Sequence, residues 1–187
     1  MPSIRAIPTT YSGVSFRSRA EARWARCFDA LGVEWEYEPE GYNLPSGPYL
    51  PDFLLPNLLK PCFVEVKGQA PNERERNVAR ELASATGLRV FIAIRAPRTC
   101  DPGCDDSMEA FIPGPDRTDS GEVLVDEDCP YWLCECARCG AIGIEYDGRS
   151  ARIGCCCYDP SDDKQFNHSS DRIVAAFNAA RTARFGT

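Results

Sequence analysis

Apolar residues recur at helical spacing in segment 18–32, SRAEARWARCFDALG. The positions that share one face are Ala20, Trp24, Cys27, Phe28 and Leu31. Ser18 is a typical N-cap, Glu21 stands three residues later as in a capping box, and Gly32 is a typical C-cap. The pattern therefore predicts an amphipathic helix between Ser18 and Gly32.

Three segments with the pattern of strands follow this helix. Residues 33–38, VEWEYE, alternate apolar and acidic side chains, which is typical of a half-buried strand. Residues 49–55 and 62–67 are short, mainly apolar and set off by prolines, so each predicts a further strand.

A second helix is predicted over 72–87, followed by the apolar strand 88–94, LRVFIAI. Asn72 and Glu75 form a capping box, and Gly87 is the expected end. The side chains expected to face inward are Val78, Leu82 and Ala85. A helix between two strands usually makes a right-handed crossover, so an α/β fold is predicted: an αβββαβ core with a mixed central sheet and helices on its faces.

Charged residues interrupt two of these apolar strands. Asp52 lies among leucines and a phenylalanine, and Glu65 and Lys67 alternate with valines in FVEVK. Residues two apart in a strand share a face, so Glu65 and Lys67 project together. If the strand with Asp52 pairs beside this one, two carboxylates converge, which suits Mg²⁺ or Mn²⁺, and Lys67 can assist a water molecule or neutralise a phosphate.

The motif PD at 51–52 followed by EVK at 65–67 resembles the PD-(D/E)xK nuclease superfamily, which has the restriction-endonuclease-like fold. Segment 14–95 also looks like small phage and bacterial members of that superfamily. The resemblance implies that Asp52 and Glu65 bind Mg²⁺, that Lys67 assists the attacking water, and that Glu21, on the first helix, holds or orients a second ion.

Each candidate also has a purely structural interpretation. Glu21 completes a capping box with Ser18, and Asp52 after a proline can be a turn residue. Glu65 and Lys67 can be a salt-bridged pair on a solvated face. Arginines around the first helix and on the second can contact phosphates or simply face solvent. These arginines are Arg17, Arg19, Arg23, Arg26, Arg74, Arg76 and Arg80.

Cysteine usage divides the chain, since nine of the eleven cysteines lie at or after residue 100. Cys136 and Cys139 form CxxC before a glycine, and Cys155 and Cys157 follow after a spacing typical of a four-cysteine zinc ribbon. The predicted ribbon strands are AIGIEY and SARIG, joined at 147–148. An iron–sulfur cluster is the alternative.

The other thiols and the single histidine are less defined. Cys134 and Cys156 are the reserve ligands for the same ion. A second group can hold another metal or stay as free thiols; it comprises Cys100, Cys104 and Cys129. His168, the only histidine, either caps or packs near a terminal helix or binds zinc. That helix is expected to begin at Ser169 or Ser170, with Ile173, Phe177 and Ala180 inward.

Composition adds a division into three parts. Residues 1–99, the predicted nuclease-like domain, hold thirteen basic and eleven acidic side chains, whereas the rest holds eight and seventeen. Residues 100–128 form an acidic, turn-rich connection, and 129–187 form the zinc-ribbon-like region with the terminal helix. A net charge of -7 means that any nucleic-acid surface must be local.

No apolar run reaches the roughly 18 to 20 residues of a membrane span, and the first residues do not resemble a signal peptide, so a cytoplasmic protein with no membrane partner is expected. The leading hypothesis is a Mg²⁺-dependent endo- or exonuclease acting on DNA, with structural Zn²⁺. The alternative is a noncatalytic module that binds nucleic acid or a protein partner. RNA as the substrate stays open.

Overall fold

The computed structural model of the chain describes residues 6–97, 108–111, 116–117, 123–124, 131–146, 154–157, 159 and 166–185. The helices α1 to α3 are Arg19–Leu31, Glu73–Thr86 and Asp171–Thr182. The strands β1 to β7 are Thr9–Tyr11, Val14–Phe16, Glu36–Tyr37, Tyr42–Leu44, Gly47–Tyr49, Phe53–Leu55 and Cys62–Lys67. The strands β8 to β14 are Arg89–Ile94, Glu109–Phe111, Asp116–Arg117, Val123–Leu124, Tyr131–Cys136, Ile142–Tyr146 and Phe166–Asn167.

A five-stranded mixed sheet forms the centre, in the order β3-β6-β7-β8-β9. β7 and β8 are parallel and joined through α2, and the other neighbouring pairs are antiparallel. The predicted mixed α/β sheet is confirmed. Along the chain, α1, β3, β6, β7, α2 and β8 follow one another as predicted, but β4 and β5, which lie outside this sheet, come between β3 and β6. The fifth strand, β9, comes from within the segment 100–128.

Helix caps determine where the first two helices begin and end. Ser18 accepts the backbone N–H of Glu21, and Asn72 forms a complete capping box with Glu75. The C-caps, Gly32 and Gly87, both have left-handed backbone conformations, which glycine adopts without a steric penalty. These boundaries agree with the predicted ones.

The central strand β7 is buried on both faces, which is why all of its residues except Glu65 and Lys67 are apolar. Cys62, Val64 and Val66 face the hydrophobic cluster that contains α1 and α3, whereas Phe63 faces the cluster that contains α2. The predicted alternation of faces along this strand is confirmed.

Three local predictions were wrong. Segment 49–55 is not one strand: Tyr49 ends β5, which pairs only with β4 among the described strands, and Phe53 begins β6 in the central sheet. Of 33–38, only Glu36–Tyr37 pairs as β3. Ala85 is exposed, because the buried stripe of α2 runs instead through Ala79, Leu82 and Ala83.

The cysteine-rich segment forms a hairpin that the sequence pattern did not predict. β13 pairs with β12, the strand that precedes the CxxC turn, and β14 pairs with the other edge of β12. The predicted partner segment and turn, 147–153, lie outside the described residues. This small sheet packs through Leu133 and Ile144 on the hydrophobic cluster that contains α1 and α3, and α3 packs against α1.

The three described helices are short, the longest being α2 with 14 residues. None of them is long and apolar enough to cross a lipid bilayer.

Candidate active site and metal centre

Asp52 and Glu65 lie across from each other on neighbouring strands. β6 and β7 are antiparallel with Phe53 opposite Val64, so Asp52, just before β6, stands beside Glu65. The Asp52 backbone N–H donates to Glu65 Oε1 over 3.1 Å, and the Val66 N–H donates to Asp52 Oδ2 over 2.8 Å. Both acids are buried, with 5% and 1% of their surface exposed. The structure therefore brings these two carboxylates together.

Two further side chains hold Glu65 in place. Lys67 Nζ donates to Glu65 Oε2 over 3.1 Å, and the Tyr49 hydroxyl donates to the same oxygen. Lys67 keeps 22% of its side chain exposed, so its amine lies between the buried carboxylates and solvent. The sequence pattern placed Tyr49 in the same strand as Asp52; its separate strand β5 instead lets its hydroxyl reach Glu65.

Burial and mutual repulsion disfavour a double negative charge here. Burial, followed by the Glu65 carboxylate, raises the pKa of Asp52 to about 7, against the opposing effect of Lys67. Burial lowers the pKa of Lys67, but Glu65 and Asp52 outweigh it and raise that pKa overall, so the amine stays protonated. A divalent cation between the carboxylates would relieve this repulsion, and their oxygen atoms suit Mg²⁺ or Mn²⁺.

Arg17 links Asp52 to the start of α1. Its Nη2 donates to Asp52 Oδ1 over 2.7 Å, and its Nε pairs with Glu38 Oε1 at 2.8 Å. Asp52 lies 35 residues further along the chain, so no local pattern predicts this contact. Arg17 is one of the arginines predicted to contact phosphate. In the structure its guanidinium instead binds the Asp52 carboxylate.

Glu21 is buried and accepts hydrogen bonds from three donors. These are the Arg17 N–H at 3.0 Å, the Ser18 hydroxyl at 2.6 Å and the Tyr37 hydroxyl at 2.6 Å. Ser18 is thus the N-cap, because its Oγ accepts the Glu21 backbone N–H over 3.2 Å. The Glu21 carboxylate accepts the backbone N–H of Arg17, the residue before this cap. Glu21 reaches Asp52 only through Arg17, and it adds to the repulsion that raises the pKa of Asp52.

Two arginines of α2 are engaged by protein groups. Arg76 forms a forked ion pair with Glu109 of β9 at 2.8 and 3.0 Å, and Arg80 pairs with Glu73 at 2.9 Å. Arg80 also lies over the ring of Phe111, 5.6 Å from its centroid. These contacts anchor α2 to the edge of the sheet.

A second cluster is built from thiols. The sulfur atoms of Cys136, Cys139, Cys155 and Cys157 all lie within 4.8 Å of one another. Four sulfurs around Zn²⁺ at about 2.3 Å stand about 3.8 Å apart, so small movements suffice for tetrahedral coordination. The pKa of Cys157 is raised, chiefly by a hydrogen bond with Cys139, so this thiol is protonated when no cation is bound. A bound cation would displace its proton.

The turn between Cys136 and Cys139 is shaped for this cluster. The Gly140 N–H donates to the Cys136 carbonyl over 2.8 Å, and Gly140 has a φ of 70° that favours glycine. The Cys136 N–H in turn donates to the Ala141 carbonyl over 2.9 Å. The predicted CxxC turn before Gly140 is therefore present, and its two cysteines together with Cys155 and Cys157 can hold a metal ion.

The reserve ligands lie outside this group of four. Cys134 is buried with its thiol 3.7 Å from the Gly143 carbonyl, and Cys156 is exposed. His168 is exposed and stacks on Trp132 with ring centroids 5.5 Å apart, while Ser170 caps α3. The remaining thiols lie outside the described residues: Cys100, Cys104 and Cys129.

Comparison with family models, with curated proteins and with solved structures finds no match for this chain. The two sites differ in their donor atoms. Carboxylate oxygens suit hard divalent cations, whereas four thiols suit zinc or an iron–sulfur cluster.

Proposed function

We propose that this protein is a Mg²⁺-dependent nuclease that hydrolyses DNA phosphodiester bonds, with Mn²⁺ as an alternative ion. The observation that carries the proposal is the buried, hydrogen-bonded pair of Asp52 and Glu65 with the Lys67 amine on Glu65. The order αβββαβ and the motif on β6 and β7 support it through their resemblance to the PD-(D/E)xK superfamily.

Each side chain has a distinct role in this proposal. Asp52 and Glu65 hold the ion; when bound, Mg²⁺ polarises a phosphate oxygen and lowers the pKa of a water molecule. Lys67, which stays protonated, donates to the attacking water or to charge that develops on the phosphate. Glu21 orients Arg17 and the start of α1 beside Asp52, where the sequence predicted that it would hold or orient a second ion.

The cysteine cluster has a structural role in the same proposal. Zn²⁺ held by Cys136, Cys139, Cys155 and Cys157 ties the hairpin of β12 and β13 to the segment 154–157. Gly154 lies close to the β6–β7 loop, where an added Cβ would stand 3.5 Å from Leu59. The zinc-bound region thus braces the hairpin that carries the carboxylates and offers a surface for substrate or a protein partner.

One observation favours the noncatalytic alternative. Arg17 and Lys67 bring two positive charges to Asp52 and Glu65, so the protein itself offsets part of the negative charge without an ion. A protein that only binds nucleic acid or a partner would need no more than this compensation. The distinction is whether a divalent cation displaces Arg17 from Asp52.

The test is a cleavage assay with Mg²⁺ on single-stranded, duplex and branched DNA and on RNA. Wild type and Asp52→Asn are compared with Asp29→Asn, a control at an exposed acid that accepts from Tyr11 and Trp35. We expect cleavage of at least one DNA substrate, lost by 100-fold or more in Asp52→Asn, on the order of the effect of losing a metal ligand, and unchanged in the control. Equal rates in wild type and Asp52→Asn would sink the proposal.

A further inference from the structure

Arg95 has a backbone conformation that is unusual for its residue type. It follows β8 directly and has a φ of 67°, in the left-handed region. Arginine has no short polar side chain to satisfy this conformation locally, so the position is strained where glycine would not be. Such strain persists only where the surrounding structure enforces it, and it concentrates at functional sites.

Two hydrogen bonds enforce the conformation of Arg95. Its N–H donates to the Lys67 carbonyl over 2.6 Å, and its carbonyl accepts from Trp24 Nε1 over 2.8 Å. Trp24 is a core residue of α1 with 4% of its surface exposed. The backbone of Arg95 is therefore held between the proposed catalytic lysine and the hydrophobic core.

This arrangement places Arg95 at the edge of the sheet that carries the carboxylates. β7 and β8 are parallel with Lys67 opposite Ile94, so Arg95 comes directly after the residue beside Lys67. Neighbouring strands lie about 4.8 Å apart, so an arginine side chain can reach over the site. The carboxyl ends of parallel strands are where α/β folds usually bind ligands.

The Arg95 guanidinium is exposed, and within the described part of the chain it makes no hydrogen bond or ion pair. Arg17, by contrast, is held by Asp52 and Glu38, and Arg76 is held by Glu109. With a net charge of -7, the protein needs local positive charge to attract a polyanion.

We propose that Arg95 binds a backbone phosphate of DNA on the Lys67 side of the site. Its planar, permanently charged fork matches the geometry of a phosphate group, and the enforced backbone fixes where that fork begins. The inference rests on the proposed function, because it takes the phosphodiester substrate as given. Arg95 is then a residue that positions substrate, and its enforced backbone conformation serves that role.

Glycine at this position separates binding from a role in the turn. Arg95→Gly removes the guanidinium together with the backbone strain, and Arg95→Lys keeps the positive charge and the strain. Arg181→Ala, at an exposed arginine in the last turn of α3, controls for the loss of one positive charge. The readouts are thermal stability, the dissociation constant for labelled single-stranded and duplex DNA at several salt concentrations, and KM and kcat for cleavage.

The binding assay uses Ca²⁺ in place of Mg²⁺ to measure affinity without turnover. We expect Arg95→Gly to melt at or above the wild-type temperature but to bind about tenfold more weakly, the effect of one charged hydrogen bond. Its log–log salt slope should fall in magnitude by about one. Arg95→Lys should keep the wild-type slope with a modest loss of affinity, and Arg181→Ala should match the wild type.

The outcomes separate this inference from the proposed function. Wild-type binding without cleavage, with the predicted loss in Arg95→Gly, removes the nuclease proposal and leaves Arg95 as a phosphate contact. Cleavage that depends on Asp52, with unchanged affinity, salt slope and KM in Arg95→Gly, overturns the Arg95 inference alone. A wild-type protein that binds neither DNA probe also overturns it.

Discussion

The Asp52 backbone N–H donates to Glu65 Oε1 over 3.1 Å, joining two buried acids across β6 and β7. The antiparallel register sets this contact, since Phe53 lies opposite Val64. Burying two carboxylates side by side is costly unless cations compensate them. Arg17 and Lys67 supply compensation from the protein, and a divalent ion would supply more.

The first prediction concerns the pH dependence of stability without a divalent ion at the carboxylates. Asp52 has a pKa near 3.9 when unfolded and about 7 when folded, so ionisation is disfavoured in the fold. The stability that protonated Asp52 contributes to the fold is therefore fully present below about pH 4, and it is lost as the pH rises through 7. Between pH 5 and 8 the wild type should lose on the order of a few kcal/mol relative to Asp52→Asn.

Urea unfolding in Mg²⁺-free buffer without a chelator, which leaves in place any metal bound at the cysteine cluster, measures this difference. A stability difference between wild type and Asp52→Asn that does not change from pH 5 to pH 8 would contradict the assigned burial and repulsion.

The second prediction concerns Glu21. Glu21→Ala leaves the Arg17 N–H and the Tyr37 hydroxyl without their acceptor and should lower the free energy of unfolding by about 1–3 kcal/mol. Glu21→Gln keeps one acceptor oxygen and should recover part of this loss. Denaturant unfolding measures both, and a Glu21→Ala variant as stable as the wild type would show that this network contributes nothing.

The third prediction concerns Lys67. Lys67→Met should reduce cleavage by about 100-fold or more, because it removes the donor to the reacting phosphate. The same change should strengthen Mn²⁺ binding, because a protonated amine on Glu65 repels the ion. Lys60→Met is the matched control, since Lys60 lies in the β6–β7 loop at the other end of β7. Full activity in Lys67→Met would remove the lysine from the mechanism.

The fourth prediction concerns the thiols. Elemental analysis should find about one zinc per chain. The zinc should be lost in Cys139→Ser and retained in Cys156→Ser, because Cys139 belongs to the cluster of four and Cys156 does not. Zinc loss should also lower the melting temperature, since the ion ties the turn after β12 to segment 154–157. Iron in place of zinc would support the cluster alternative, and equal metal content in both variants would contradict the ligand assignment.

Local signals in the sequence were enough to predict the framework of the fold. The caps Ser18 and Asn72 and the alternation along Cys62–Lys67 depend on near neighbours, and the structure has them as expected. The meeting of Asp52 and Glu65 needed one further assumption, that their strands pair, which the register confirms.

The remaining features depend on contacts that no local pattern reveals. The hydrogen bond from Arg17 to Asp52 joins residues far apart in the chain, and so do the two hydrogen bonds that hold the Arg95 backbone. The pairing of β13 with β12 was missed because β12 contains two cysteines and a glutamate, a pattern interpreted as ligands rather than as a strand. Tyr49 was assigned to the wrong strand because only residues 50–52 separate the end of β5 from the start of β6.

Calorimetric titration with Mn²⁺ tests most directly whether Asp52 and Glu65 form a divalent-cation site. Wild type, Asp52→Asn, Glu65→Gln and the control Asp29→Asn are titrated after the cysteine cluster has been saturated with Zn²⁺ and the excess removed. The account predicts binding in the wild type and in Asp29→Asn, and loss of that binding in both Asp52→Asn and Glu65→Gln. Equal Mn²⁺ binding in all four proteins, or none in the wild type, would contradict it.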